Sequence, residues 1–200
     1  EPEIYLGSRD RSWGIRPVGL PDSQPLFPAQ APQFYWLWCP ANFKDFASHT
    51  FFVDDEKGNP ISSHAVVQKK QTDVLVNLSK EVSYKPGTRR VLKATFVAES
   101  SQGTQIKTVI EPKYSMFMCG LGYMHPDWGH GYFKGKNESH YDFYDLKNDP
   151  HDPPFLYIQA ISKIQIIEEG TIREGSGVLE QLLIGKHKPS NFKDILDLAK

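Results

Sequence analysis

Apolar and polar residues alternate with period two along most of the chain, and β-branched and aromatic residues fill the apolar positions, which predicts strands rather than helices. The pattern predicts strands over residues 10–18, 34–43, 48–54, 62–69, 72–84, 89–98, 104–110, 115–121, 130–135, 155–168 and 171–185. Turn chemistry separates them: the stretches from Asp54 to Pro60, Tyr84 to Arg90, Glu99 to Gln105 and Glu168 to Gly175 each place Gly at a turn, one with Asn and one with Pro. Four prolines in the fourteen residues from Gly19 to Pro32 exclude a regular element there, and Leu26 and Phe27 predict that this loop packs back on the body. A second irregular stretch runs from Lys147 to Phe155. The last eleven residues predict the single helix, with Ser190 as N-cap and Phe192, Ile195 and Leu196 on one face.

A meander of about ten antiparallel strands must close or fold into two sheets, because an open sheet leaves edges and a bare face. The expected fold is therefore all-β: an antiparallel barrel or strongly curved sandwich with a short C-terminal helix, forming one domain over residues 1–200. With 39% hydrophobic and 12% aromatic residues the chain can fill a sizeable core. A mean hydropathy of -0.48 and short apolar runs argue against a membrane span. The formal charge of -1 supplies no global field for nucleic acid, and Lys69–Lys70 and Arg89–Arg90 read as solvated strand ends. Cys39 and Cys119 both sit in apolar runs and are expected to be reduced and buried, which fits a cytoplasmic setting.

Several groupings carry possible chemistry. Near the start, Arg9, Arg11 and Trp13 fall on one side of a strand and Asp10 on the other. A guanidinium stacked on an indole is held for a carboxylate, either a structural partner or a substrate anion. In the aromatic run from Phe34 to Cys39, Trp36 and Trp38 share a face and would line a cavity wall or fill the core. His125, Asp127 and His130 lie within six positions, with Trp128 among them, and could form a general-base pair or, less in keeping with known metal spacings, a metal site; the local Pro and Gly also describe a self-satisfied turn. His140, Tyr141, Asp142 and Asp145 form a fourth group. The alternation from Gly175 to His187 buries either Val178, Glu180, Leu182 and Ile184 or Leu179, Gln181 and Leu183; on the first reading Glu180 points inward and pairs with an early arginine. No motif calls for a cofactor.

The segments from Ser8 to Pro17, Phe34 to Phe43, Gly120 to Gly135 and Gly175 to Phe192 resemble the lipocalin-like (calycin) proteins grouped with carotenoid hydratases (hydroxyneurosporene synthase) and tocopherol cyclases, closest to uncharacterised members. The resemblance implies two barrels packed side by side, with the Arg-Asp-x-Ser-Trp motif at Arg9–Trp13 opening the second. This chain would then be the C-terminal half of a longer protein, in line with a first residue other than Met. It further implies an apolar or isoprenoid-like ligand and alkene protonation by His, Trp, Tyr and Asp side chains between the barrels. Asp10 with His125 or His130 are the expected proton-transfer groups, Arg11 the charge partner, and Trp13, Trp36, Trp38 and Trp128 the apolar wall. Two other readings stand beside this one: a non-catalytic lipid or terpenoid carrier, and a packing partner for an N-terminal barrel or a second copy.

Overall fold

The computed structural model describes residues 7–11 and 33–200, apart from 124, 130, 131, 148 and 149. Eight strands follow one another in chain order: β1 (Phe34–Phe43), β2 (Ala47–Asp54), β3 (Pro60–Gln68), β4 (Thr72–Tyr84), β5 (Val91–Glu99), β6 (Gln105–Phe117), β7 (Ile158–Glu168) and β8 (Thr171–Ile184). Each pairs antiparallel with the next, and β8 pairs antiparallel with β1, so the sheet closes into a barrel. Closure removes both edges, as the sequence demanded of so long a meander. The predicted strands 104–110 and 115–121 are one element, β6, whose register shifts between Pro112 and Tyr114; proline cannot donate to the ladder, and the extra residue absorbs the defect. Residues 132–135 are irregular rather than a strand, within the long connection from β6 to β7. Of the strand expected over 10–18, Asp10 and Arg11 belong to no strand, and the remainder lies outside the described residues, as does the loop from Gly19 to Pro32.

Inward positions from all eight strands meet in one apolar cluster, which includes Tyr35, Leu37 and Cys39 from β1, Phe52 from β2, Phe96 from β5, Ile110 from β6, Ile164 from β7 and Leu179 from β8. Burial without a partner pushes the Cys39 thiol up to about 12, so it serves as a small hydrophobe. Both cysteines are free and buried, as expected.

The predicted C-terminal helix is absent: beyond the short 3-10 turn Lys188–Ser190 the tail forms no helix and crosses one end of the barrel. The reason is Arg89, which is buried rather than solvated. Its guanidinium donates to the carbonyls of Gly185 (2.9 Å), Asp194 (2.7 Å) and Asp197 and lies over the Phe192 ring at 4.2 Å. Helix formation would claim carbonyls that Arg89 already holds, and the Ala199 N–H donates instead to Thr88. Arg90, also buried, donates to the carbonyls of Phe155 (3.2 Å) and Pro150 (2.6 Å) and so fixes the end of the β6–β7 connection.

Closure of β8 on β1 depends on two glycines. A Cβ on Gly175 would meet the Asn42 carbonyl, and one on Gly177 the Pro40 carbonyl, with Ile164 at 2.7 Å and the Ala41 Cα at 2.9 Å. A backbone carbonyl in a paired strand cannot swing aside. Gly177→Ala is expected to destabilise the barrel by about 1–3 kcal/mol, read as a lower urea midpoint, whereas Gly120→Ala, beyond the end of β6 where a Cβ would meet nothing, should leave the midpoint close to that of the parent.

Candidate functional site

The outer face of the closed seam gathers most of the chemistry. Because β1 buries Tyr35, Leu37 and Cys39 inside, the alternate residues Trp36 and Trp38 stand on the outside; they line neither a barrel cavity nor the core. Strand register then sets one outward row across five strands: Gln159 on β7 pairs with Glu180 on β8, Glu180 with Trp38 on β1, Trp38 with Phe51 on β2, and Phe51 with His64 on β3. The rings continue sideways. Phe34 stacks on Trp36 at 6.4 Å, Trp36 on Phe51 at 5.8 Å, and His49 lies between Trp38 (5.3 Å) and Phe51 (5.9 Å). The result is an aromatic band on the exterior of the barrel.

At one end of that band stands Glu180, which points outward, not inward, yet is buried. Its Oε1 accepts from the Trp36 indole (2.9 Å) and the Tyr157 hydroxyl (2.7 Å), and its Oε2 from the Gln159 amide (2.6 Å). Among the described residues three neutral donors thus stand where an arginine was expected; Arg9 and Arg11 are exposed, and Arg16 lies outside the described residues. Burial and the Glu180 charge drive the Tyr157 phenol far above its ordinary range, so it remains a hydrogen-bond donor. The inward neighbour on β8 is Gln181, whose amide spans the Val91 N–H and the Arg89 carbonyl.

Over the seam lies the segment 7–11, tied down by the Asn42 amide, which donates to the Gly7 carbonyl at 3.2 Å. Between it and the sheet runs a groove of about 420 Å³, lined by Arg9, Asp10, Trp38, Pro40, Asn42 and His49 among others. The negative field of Asp10 reaches both His49 and Tyr157. His49 is half-buried, and its Nε2 is buried with no partner among the described residues. Burial, followed by the neighbouring His64, lowers its pKa below the usual imidazole value, and Asp10 opposes both.

Asp10, Trp36 and Trp38 are therefore brought together, but the histidine beside them is His49, not His125. Trp13 and His130 lie outside the described residues. His125 and Trp128 belong to a separate cluster on the β6–β7 connection. The backbone N–H groups of Asp127 (3.1 Å) and Trp128 (2.8 Å) donate to His125 Nδ1, which fixes the proton on Nε2, from where it is donated to Asp142 at 2.8 Å. His140 reaches the other Asp142 oxygen at 2.9 Å and stacks on Trp128 at 5.0 Å. His125 and His140 hold the Asp142 carboxyl below its ordinary range. The three ligand atoms are close enough to surround a metal ion. The tautomer opposes that use, because His125 Nε2 would have to lose its proton while Nδ1 still faces two donors.

A family sequence model matches residues 1–193, nearly the whole chain. The chain belongs to DUF8625, a family of unknown function. No curated protein and no solved structure matches it. In this DUF8625 chain, sequence reasoning passed over His49, Tyr157 and Gln159. The signal for His49 was its place two residues before Phe51 in a strand that alternates, on the same side as the indoles once β1 and β2 are paired. No described helix is long and apolar enough to cross a membrane.

A base whose folded pKa is depressed binds its proton later than in the unfolded chain. His49 therefore lowers stability as pH falls below about 6.5 and has no such effect above it. NMR titration should find His49 below that value, moved further down by Asp10→Asn and upward by His64→Gln. A His49 that titrates at or above the ordinary value would remove the electrostatic grouping of these three residues.

Proposed function

We propose that this barrel is a small-molecule-binding domain whose apolar, isoprenoid-like ligand lies against the outer aromatic band, with Asp10 and His49 as proton-transfer groups in hydratase- or cyclase-like chemistry. The observation that carries the reading is the groove itself: the Asp10 carboxylate and the His49 imidazole line the same space as the Trp38 ring, and His49 Nε2 has no partner among the described residues. A flat polyene suits contiguous ring faces, and its desolvation supplies the affinity. A proton delivered to an alkene carbon from the His49 imidazolium, whose lowered pKa makes it the stronger acid and whose population grows as pH falls below about 6.5, would leave a carbocation, which indole faces stabilise through their quadrupoles. Water then adds, and its proton passes to the Asp10 carboxylate. Glu180 is saturated by its three donors, so its role here is to orient Trp36 and Tyr157.

In this reading the ligand is covered from above by a second barrel, either an N-terminal half of the same protein or another copy. Support for such a partner comes from the outward pair Tyr114 and Ile161, directly opposite each other on β6 and β7 and 74% and 56% exposed. The same features also suit a carrier that does no chemistry.

Binding of the fluorescent polyene parinaric acid checks the reading. Trp38→Ala is expected to weaken it about tenfold, equivalent to ~1.4 kcal/mol of lost apolar contact, while Asp10→Asn leaves it unchanged. Unaltered affinity in Trp38→Ala would move the ligand elsewhere. Mass gain by one water on prolonged incubation, lost in Asp10→Asn, identifies a hydratase; unchanged mass with an altered polyene absorbance and retention time identifies a cyclase; a ligand recovered unaltered in mass, absorbance and retention identifies the carrier.

A further inference from the structure

The end of the barrel crossed by the C-terminal tail contains a second polar assembly, which the proposed ligand site does not use. Asp54, at the inward-facing end of β2, is buried, and its Oδ2 receives the Lys80 ammonium at 2.6 Å and His187 Nε2 at 3.2 Å. His187, also buried, stacks on the Tyr35 ring at 3.8 Å, and its Nδ1 faces the Ser190 hydroxyl at 2.7 Å. Ser190 Oγ lies 2.6 Å from the Tyr84 hydroxyl, which lies 3.1 Å from that of Tyr35.

Proton accounting gives this chain a single direction. A carboxylate only accepts, so His187 Nε2 carries the proton and, in the neutral ring, Nδ1 accepts. Ser190 must then donate to His187, Tyr84 to Ser190, and Tyr35 to Tyr84. Each bond polarises the next toward Asp54. Lys80 sits over the Phe52 ring at 4.4 Å and holds the Asp54 carboxylate from its own side. Asp54 Oδ1 is buried with no partner among the described residues.

Such an assembly in a sealed core would be structural. Here it is not sealed: Tyr84 and Ser190 line an open groove of about 520 Å³, together with Lys193, Asp197 and Lys200. Ser190 is partly exposed, at the end of the short turn that begins after His187. A hydroxyl that donates to an imidazole, itself oriented by a carboxylate, is the arrangement that activates a serine nucleophile. The imidazole is turned so that Nδ1 faces the serine and Nε2 the carboxylate, but the chemistry requires only that one nitrogen accept while the other donates.

We propose that Ser190, His187 and Asp54 form an acyl-transfer site at the barrel rim, with Ser190 as the nucleophile and small carboxylic esters as the substrate class. As Ser190 Oγ bonds to the acyl carbon, its proton passes to His187 Nδ1. The ester C–O bond breaks, and the leaving alkoxide takes that proton and departs as the alcohol. Water then attacks the acyl-serine, giving its proton to His187, which returns it to Ser190 as the carboxylic acid leaves. Asp54 orients the ring and balances its transient charge, and Tyr84 donates to the attacking oxygen until the bond forms.

The test is labelling with a fluorophosphonate, read as adduct mass and mapped by peptide. The expected result is one adduct, on Ser190, lost in Ser190→Ala and slowed at least tenfold in His187→Gln, while Lys147→Ala, on the exposed β6–β7 connection, labels as the parent does. Since loss of His187 could disturb the packing against Tyr35, Ser190→Cys provides an independent measure. Its thiol should react with iodoacetamide at least tenfold faster at pH 7 than a simple thiol, and this excess should vanish in Ser190→Cys combined with Asp54→Asn. Absence of the adduct, an adduct elsewhere, or ordinary reactivity of the cysteine overturns the proposal.

Discussion

Closure of β8 on β1 is the constraint from which the arrangement of the molecule follows. Two strands can approach there only because residues 175 and 177 carry no side chain beyond hydrogen, so the Asn42 and Pro40 carbonyls fit where a Cβ would otherwise stand. Once the seam is shut, register leaves no freedom: Glu180 must lie beside Trp38, and Gln159 beside Glu180. A shift by one residue would send Glu180 into the apolar interior and turn Leu179 and Leu183 to the outside. The seam thus fixes both the core and the outer row with the same pair of close contacts.

A filled interior has a consequence for chemistry. Inward side chains from all eight strands occupy the barrel, and the buried polar groups within it are engaged at the tail-crossed end by Asp54, Lys80, His187 and the two tyrosines. Among the described residues, grooves lie on the outside, under residues 7–10, and at the rim beside Ser190. Arg89 and Arg90 are what make a rim of it. Each is buried and bound to carbonyls, so one guanidinium gathers the tail and the other the end of the β6–β7 connection onto the same edge of β5. Charge in these two residues serves chain-to-chain attachment rather than solubility.

Much of the fold was legible in the sequence. Period-two alternation located all eight strands, and β1 and β4 with the observed limits, because half-buried strands must alternate. What the pattern could not tell was which side of β1 faces in, since both of its faces are apolar: Tyr35, Leu37 and Cys39 on one, Trp36 and Trp38 on the other. The same limit hid the direction of Glu180. The tail misled for a different reason, as Phe192, Ile195 and Leu196 have helical spacing, but Arg89, a hundred residues away, competes for the carbonyls a helix needs. His49 and Tyr157 became visible only through strand pairing, which joins residues that composition and local motifs leave far apart.

The two carboxylates near the seam differ in a way that divides their tasks. Glu180 is buried and receives three neutral donors, an arrangement that satisfies its oxygens and in return fixes Trp36 and Tyr157 in place. Asp10 sits on an exposed segment above the groove, held to the sheet through Gly7 three residues before it, and its field reaches His49 and Tyr157 from the open side. A group that must exchange protons with a bound molecule has to face that molecule, whereas a group that holds a wall in position does so best when surrounded. On the proposed reading the sheet carries the fixed carboxylate and the N-terminal segment carries the reactive one. The aromatic wall is then built once, at barrel closure, and the acid–base pair is completed only when residues 7–10 lie across it.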